Sequence, residues 1–208
     1  MDAAKLLKEL NGFKAEVYGN HEAHPKLEAV LQSLKEEVAL AEQKKAGKAD
    51  RFKGALRFSK ATNKRWKGIR PGIAGAFIGE SGKQYITDSY GVVRYDQPYE
   101  GLVEAEGGSY PNLDRVIDNY NSKCKAELPS IAELKTELKV NKAEGNLDQN
   151  GISLSKVGKA FYNTAFLIQL IEAVEPTEAY FSNDGNVPTL VVIGDGAQGA
   201  LLPVRPKN

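Results

Sequence analysis

The sequence predicts an α+β fold, and three features of the chain indicate that class. The first 66 residues carry apolar residues at helical spacing, whereas short strand-like runs separated by turn residues follow Pro71. A second apolar helix and a second set of three strands come later in the chain. Helices and strands in separate runs, rather than in strict alternation, are typical of α+β proteins. The length of 208 residues fits one domain with an appendage.

The N-terminal segment is predicted to form two helices. Residues 2–11 place their leucines on one side before Asn11-Gly12, and Pro25 stands in the first turn of a second helix. In that second helix apolar residues recur four and three positions apart, at Leu27, Leu31, Leu34, Val38 and Ala41. A seam about three heptads long belongs either to a coiled coil or to a helix packed on its own domain. We therefore predict a helical extension over residues 1–48.

The remaining residues, 49–208, are predicted to form one domain of two similar halves. In each half a helix precedes its strands. The first half has a helix in the first part of 49–66 and strands at 72–79, 84–88, 91–95 and 102–106. The second half has a helix from Asn163 to Val174 and strands at 178–182, 189–193 and 199–204. Between the halves lie a short helix within 111–121, a helix opened by 128–130 and a polar loop at 140–151.

Three glycine-rich or acidic stretches imitate ligand-binding loops without matching them. Gly194 to Gly199 have the glycine spacing of a dinucleotide-binding loop, but no helix follows, so we predict a hairpin turn. Residues 79–83 lack the spacing of a P-loop and its magnesium-binding hydroxyl. Residues 146–157 lack the terminal glutamate of a calcium loop and are predicted to be solvated.

The histidines and the cysteine also point away from an enzyme or a metalloprotein. His21 and His24 have no third ligand nearby, and Pro25 disfavours a helix there. Cys124 is the single cysteine, which excludes an internal disulfide. We therefore expect no catalytic residues, no cofactor and no metal site. Because no run of about 18 apolar residues and no secretory signal order is present, we expect a cytoplasmic protein without membrane contact.

Basic residues are concentrated in one stretch of the chain. Residues 44–70 hold eleven of the 28 basic residues and one of the 27 acidic residues, so the rest of the chain is acidic. A basic segment on an acidic body is typical of contact with a polyanion. A solvated helix face or a lysine-rich linker would give the same count, and both interpretations stay open.

Four stretches of the chain carry a family resemblance when they are taken in order. They run from Arg70-Pro-Gly to Ile78, from Tyr85-Ile-Thr to Val92, from Ser109-Tyr-Pro to Ile117, and from Phe161 to Leu202-Pro-Val-Arg205. Together they resemble the bacterial sliding clamp, the β subunit of the replicative DNA polymerase. The second is similar to the family's TDG-x-R-L strand pair, the third to its FP-x-x-x-R-V connector, and the end of the fourth to its M-P-M-R tail.

The resemblance has departures that bear on size and detail. Ser89 and Gly91 replace the glycine and the arginine of the second motif, and Leu202 and Val204 replace the methionines of the tail. The chain is far shorter than a three-domain clamp. The resemblance therefore implies a cut-down clamp: a single DNA-clamp-like domain of two β-α-β-β-β-type halves, with the N-terminal helices as an extension.

The same resemblance implies a binding pocket for short peptide motifs. In the family these four pieces surround an apolar pocket that receives linear motifs of polymerases and repair proteins. Carried onto this sequence, the pocket residues are Ile73, Thr87, Ser89, Tyr90, Val92, Pro111, Arg115, Val116, Leu201, Leu202, Pro203, Val204 and Arg205. Aliphatic side chains would accept leucine or phenylalanine anchors, and Arg115 or Arg205 would meet a carboxylate or carbonyl.

The resemblance also implies contact with duplex DNA, because basic helices of the family line its ring. The candidate residues in the basic stretch are Lys53, Arg57, Lys60, Lys64 and Arg65. The expected partners are polymerases or repair proteins with clamp-binding motifs, double-stranded DNA and further copies of the chain. The alternative is a structural or interaction protein, of phage or mobile-element type, that keeps the fold and assembles through its N-terminal helices.

Overall fold

A seven-stranded antiparallel sheet organises the structure, a computed structural model that describes residues 3–14, 18, 23–107, 110–183 and 187–205. The strands along the sheet run in the order β1-β2-β3-β9-β8-β7-β4. They are β1 Ala76–Ile78, β2 Gln84–Thr87, β3 Gly91–Tyr95, β4 Tyr120–Lys125, β7 Glu178–Ser182, β8 Leu190–Gly194 and β9 Ala197–Leu201. A separate hairpin pairs β5 Leu154–Val157 with β6 Ala160–Asn163.

Six α-helices lie within the described residues, and two of them, the third and the sixth, pack on one face of this sheet. They are α1 Ala3–Phe13, α2 Ala23–Lys45, α3 Ala49–Trp66, α4 Asp114–Ile117, α5 Ile131–Glu144 and α6 Thr164–Val174. A short 3-10 turn, Pro71–Ile73, leads from α3 into β1. None of the helices in the described part of the chain is long and apolar enough to cross a membrane.

The two predicted strand sets join into one sheet along the β3–β9 pair. Five residue pairs hold this junction, from Gly91 opposite Leu201 to Tyr95 opposite Ala197. Each set is preceded by a helix, α3 or α6, and these two helices pack on each other. Their approach is close at Gly54, where a Cβ atom would overlap the carbonyl of Glu172. The α+β class predicted from the sequence is therefore confirmed.

Each strand sends alternate side chains to opposite faces, which divides the core in two. Val93, Val192 and Leu201 belong to the main core under α3 and α6. Their neighbours Val92 and Val191 belong to a smaller cluster on the other face. The connection between β3 and β4 covers this second face with Tyr110, Leu113 and Ile117, among others. The second face is the one that carries the candidate site.

The helical N-terminus is in contact with the rest of the molecule. Ala39 of α2 belongs to the main core, and the Gln32 side chain donates to the carbonyl of Gly101 at 2.9 Å. The helix α1 ends at Phe13, so it runs past the predicted stop at Asn11-Gly12. Residue 2, which begins the predicted helix, lies outside the described residues. The division at residue 48 stays a prediction.

Several element bounds differ from the sequence prediction. The helix α3 continues through the whole of 49–66 instead of its first half. The predicted strand 72–79 shrinks to β1, because the 3-10 turn occupies its beginning. At 102–106 only a single bridge forms, between Ala76 and Glu104. The strand β4 and the β5–β6 hairpin were not predicted.

Candidate functional site

The second face of the sheet carries a pocket of about 490 Å³. Four separated parts of the chain surround it: the turn before β1, the β2–β3 turn, the segment before and within α4, and the end of β9. The lining residues are Arg70, Gly72, Ile73, Thr87, Ser89, Tyr90, Gly91, Val92, Pro111, Leu113, Val116, Thr189, Ala200 and Leu202. All of them belong to the four stretches that carry the family resemblance, since Thr189 lies within the fourth.

The first wall is the β2–β3 turn, which Asp88 organises. Its buried carboxylate accepts hydrogen bonds from the backbone N–H of Tyr90 at 2.9 Å and of Gly91 at 2.8 Å. Burial raises the pKa of Asp88, while the Gly91 and Tyr90 N–H groups and then Arg65 oppose that rise. Ser89 has a φ of 76°, a left-handed conformation that suits glycine better than serine.

The second wall is the segment 111–118, which Arg94 fixes to the sheet. Arg94 is buried on β3, and its guanidinium donates to Asp114 at 2.7 Å and to Asp118 at 2.8 Å. The Tyr85 hydroxyl also donates to Asp114, at 2.6 Å. The Tyr85 hydrogen bond has the largest effect and lowers the pKa of Asp114; desolvation opposes it, and Arg94 lowers the pKa further. These contacts hold Pro111, Leu113 and Val116 over the pocket.

The remaining walls are the end of β9 and the turn before β1. The backbone N–H of Leu202 donates to the carbonyl of Tyr90 at 2.9 Å, which joins β9 to the β2–β3 turn. In the other wall, the Asn63 side chain donates to the carbonyl of Ala74 at 2.7 Å. The Arg70 guanidinium carbon lies 5.1 Å from the centroid of the Trp66 ring. These contacts connect the last turn of α3 to the mouth of the pocket.

The side chains that line the pocket are mostly apolar, and a few carry hydroxyl groups. Three large apolar side chains at its rim are exposed: Tyr90 by 49%, Leu202 by 39% and Val116 by 38%. Arg70 is the one charged residue among the described lining residues. Apolar side chains open to solvent around a concave surface are typical of binding sites for other molecules. Such a pocket suits an apolar anchor with an acceptor group beside it.

Among known proteins, the chain has structural neighbours but no match in sequence. No family model matches the chain, and no curated protein matches it. Among solved structures it is similar to the DNA polymerase III β chain of Streptococcus pneumoniae TIGR4, with a TM-score of 0.35 and 13% identity over 59% of this chain. It is also similar to a Helicobacter pylori β clamp bound to a DNA ligase peptide, with a TM-score of 0.33 and 11% identity over 60% of this chain.

The matched parts make up 41% of each of those two chains, so this chain spans less than half of their length. At identities of 13% and 11%, the likeness concerns the fold alone.

The structure brings eight of the thirteen predicted peptide-binding residues together around the pocket. They are Ile73, Thr87, Ser89, Tyr90, Val92, Pro111, Val116 and Leu202. The pocket also has six lining residues that were not predicted, namely Arg70, Gly72, Gly91, Leu113, Thr189 and Ala200. All six stand inside the quoted stretches, but Thr189 lies between the motif-like ends of the fourth stretch, and only the β8–β9 pairing brings it to the pocket.

The other five predicted residues lie away from the lining. Leu201 is buried in the main core, since strand alternation sends it to the opposite face from Ala200 and Leu202. Val204 pairs with Phe161 beyond the sheet, and Pro203 precedes it. Arg115 and Arg205 are exposed, and Arg70 takes the position at the pocket where one of them was expected.

The predicted DNA-binding residues lie along α3, and four of the five have a carboxylate partner. Lys53 pairs with Asp50 at 2.9 Å, Arg57 with Glu172 at 2.8 Å, Lys60 with Glu36 at 2.7 Å and Arg65 with Asp88 at 3.5 Å. Lys64 is exposed and has no ion-pair partner among the described residues. The acidic body therefore neutralises much of the basic stretch locally. Binding of DNA by these residues stays a prediction.

The ligand-like loops have structural explanations in the described residues. Gly194 to Ala197 form the β8–β9 turn, with Gly196 at a φ of 65°, so the predicted hairpin is confirmed. The Asp148 carboxylate accepts from the N–H of Asn150 and of Ile152, as in a self-contained polar turn. No group of three metal-ligating side chains occurs in the described part of the chain, and His21 lies outside it.

Proposed function

We propose that this chain is a non-enzymatic, sliding-clamp-like accessory protein that binds short linear peptides in the pocket on the second face of its sheet. One observation carries the proposal: four stretches that resemble clamp motifs, spread from residue 70 to residue 202, meet at one apolar pocket. Chance resemblances at four places would have no reason to converge in space.

The lining defines the kind of peptide. Val92, Val116 and Leu202 offer aliphatic contacts for a leucine or phenylalanine anchor, and Arg70 offers a cation to a neighbouring carboxylate or carbonyl. Burial of one large apolar side chain contributes about 1.5–3 kcal/mol. Two anchors and one charge-assisted hydrogen bond therefore support micromolar rather than nanomolar affinity. Weak, exchangeable binding fits an accessory protein that serves several partners in turn.

Fluorescence anisotropy with a short labelled peptide that carries leucine, phenylalanine and aspartate tests the proposal. We expect saturable binding below about 100 µM. Leu202→Asp places a charge at the rim and should weaken binding at least about tenfold. Val140→Asp is the matched control, because Val140 is similarly exposed (41%, against 39% for Leu202) but lies on α5. Absence of binding at this concentration, or equal loss in both variants, would contradict the peptide-binding function.

The expected partners are polymerases or repair proteins with such motifs. Contact with duplex DNA through α3 is a separate proposal, and its strength depends on how many of the paired cations exchange a carboxylate for a phosphate.

Assembly through the N-terminal helices is the alternative function. It is favoured by Phe13 and Val30, which are exposed on α1 and α2 by 53% and 47%. Light scattering of a Val30→Lys variant against the unmodified chain tests that alternative.

A further inference from the structure

Tyr90 forms one wall of the pocket, and its ring also contacts helix α3 and helix α6. The ring stacks on Phe166 of α6 with centroids 5.9 Å apart. The guanidinium carbon of Arg65 lies 5.0 Å from the centroid of the Tyr90 ring and 5.6 Å from that of Phe166. Because the Tyr90 side chain is half exposed, these ring contacts are a large part of what restricts it.

Arg65 also contacts the carboxylate that organises the same turn. Its guanidinium lies 3.5 Å from the Asp88 carboxylate, whose other oxygen accepts from the N–H of Tyr90 and of Gly91. One cation thus touches both the ring of Tyr90 and the group that orients the Tyr90 backbone. The turn needs such support because Ser89 adopts a left-handed conformation that non-glycine residues rarely occupy.

We propose that Arg65 is a positioning residue of the pocket and not chiefly a contact to DNA phosphate. Its planar guanidinium holds the Tyr90 ring against Phe166 and so keeps one wall of the pocket in place. A guanidinium stacks on aromatic faces, whereas a lysine ammonium is a point charge on a flexible stem. The shape of the side chain therefore matters more than its charge. The claim about peptide affinity rests on the proposed function, but the support of the turn does not.

Two substitutions that keep the charge separate these roles. Arg65→Lys removes the planar group, and Lys64→Arg is the matched control on the neighbouring exposed position. In the full chain without peptide, amide hydrogen exchange at Tyr90 and Gly91 should become at least about threefold faster in Arg65→Lys and unchanged in Lys64→Arg. With the labelled peptide, Arg65→Lys should weaken binding about threefold to tenfold, and Lys64→Arg should leave it unchanged.

A second variant, Phe166→Leu, removes the ring beneath Tyr90 and should accelerate the same two amides. Unchanged exchange in Arg65→Lys would overturn the proposal whether or not any peptide binds. Faster exchange with unchanged peptide affinity would also overturn it, because the wall would then not need its support. Faster exchange in a protein that binds no peptide at all would support the role of Arg65 in the turn and contradict the proposed function alone.

Discussion

The pocket and the basic face of helix α3 are neighbouring regions that differ in whether their side chains already have partners within the chain. On α3, four of the five predicted DNA contacts already have a carboxylate within 3.5 Å. At the pocket, large apolar side chains stay open to solvent, and the lining residues that the structure describes include a cation but no carboxylate. A basic stretch in a sequence is therefore not the same as free positive charge, whereas unsatisfied apolar surface at the pocket is available to a partner.

The largest change in stability is expected where α3 packs in the core and does not face a ligand. Gly54→Ala places a methyl group against the carbonyl of Glu172 and should lower the free energy of unfolding by about 3 kcal/mol. Gly12→Ala in α1 is the control, since nothing lies within 4 Å of its Cβ position. Urea denaturation measures both. A loss under about 1 kcal/mol for Gly54→Ala would mean that α3 and α6 separate easily.

A smaller effect on stability is expected at the second wall of the pocket, which Arg94 fixes to the sheet. Asp114→Asn should lower the free energy of unfolding by about 1 kcal/mol at neutral pH, a value discounted for the partial exposure of Asp114. The pKa of Asp114 is lowered in the folded chain, so its contribution is fully present above the ordinary value of 3.8 and is lost as the pH falls through the folded value.

Urea denaturation from pH 7 downward measures this dependence, with exposed Asp96→Asn as control. The unmodified chain and the Asp114→Asn variant should converge in stability only below pH 3.8. Convergence well above that value would contradict a lowered pKa of Asp114, whereas a difference that persists below it would place the contribution of Asp114 in its shape and not in its charge.

A gain in stability is expected at the β2–β3 turn. Ser89→Gly relieves the cost of a left-handed serine, which is about 1–2 kcal/mol, and loses part of it to the flexibility of glycine in the unfolded chain. We expect a net gain of up to about 1 kcal/mol by thermal denaturation. Ser81→Gly, in the preceding turn, serves as the control. A net loss would show that the serine side chain makes a compensating contact.

The smallest effect is expected in the affinity for DNA. Lys64→Gln removes a charge that has no ion-pair partner in the described part of the chain, and it should reduce the slope of log affinity against log salt by about one, as for one phosphate contact. Lys60→Gln should change that slope less, because Lys60 is already paired with Glu36 at 2.7 Å. Titration of labelled duplex DNA at several salt concentrations measures both. Binding without salt dependence would exclude a phosphate interface on α3.

The sequence predicts the regular elements well where apolar periodicity is strong. The helix after Asn163 and the strands around Val92 and Val191 have clear patterns and lie where they were expected. The strand Tyr120–Lys125 is polar and irregularly paired, so no alternation of apolar residues in the sequence predicts it. The β5–β6 hairpin has a signal in the sequence, because Gly158 stands between two strand-like runs. In the structure this glycine has a φ of 59° in the turn of the hairpin.

The site shows the same division between local pattern and distant contact. The four motif stretches bring together most of the pocket, but the face of each residue depends on strand register, which is why Leu201 lies in the main core and not in the pocket lining. Thr189 and three of the four carboxylates that pair with the predicted cations of α3 come from other parts of the chain. Arg57 and Glu172, for example, are separated by 115 positions, so only the packing of α3 on α6 reveals their ion pair.

The position of Trp66 allows its fluorescence to report on the mouth of the pocket. It is the single tryptophan of the chain, its indole N–H donates to the carbonyl of Asp88 at 3.3 Å, and the guanidinium carbons of Arg65 and Arg70 lie 5.3 Å and 5.1 Å from its ring. Its emission therefore depends on the charges and on the polarity at the mouth of the pocket. Selective excitation of the indole should detect an occupant there in unlabelled protein, without any dye attached to either partner.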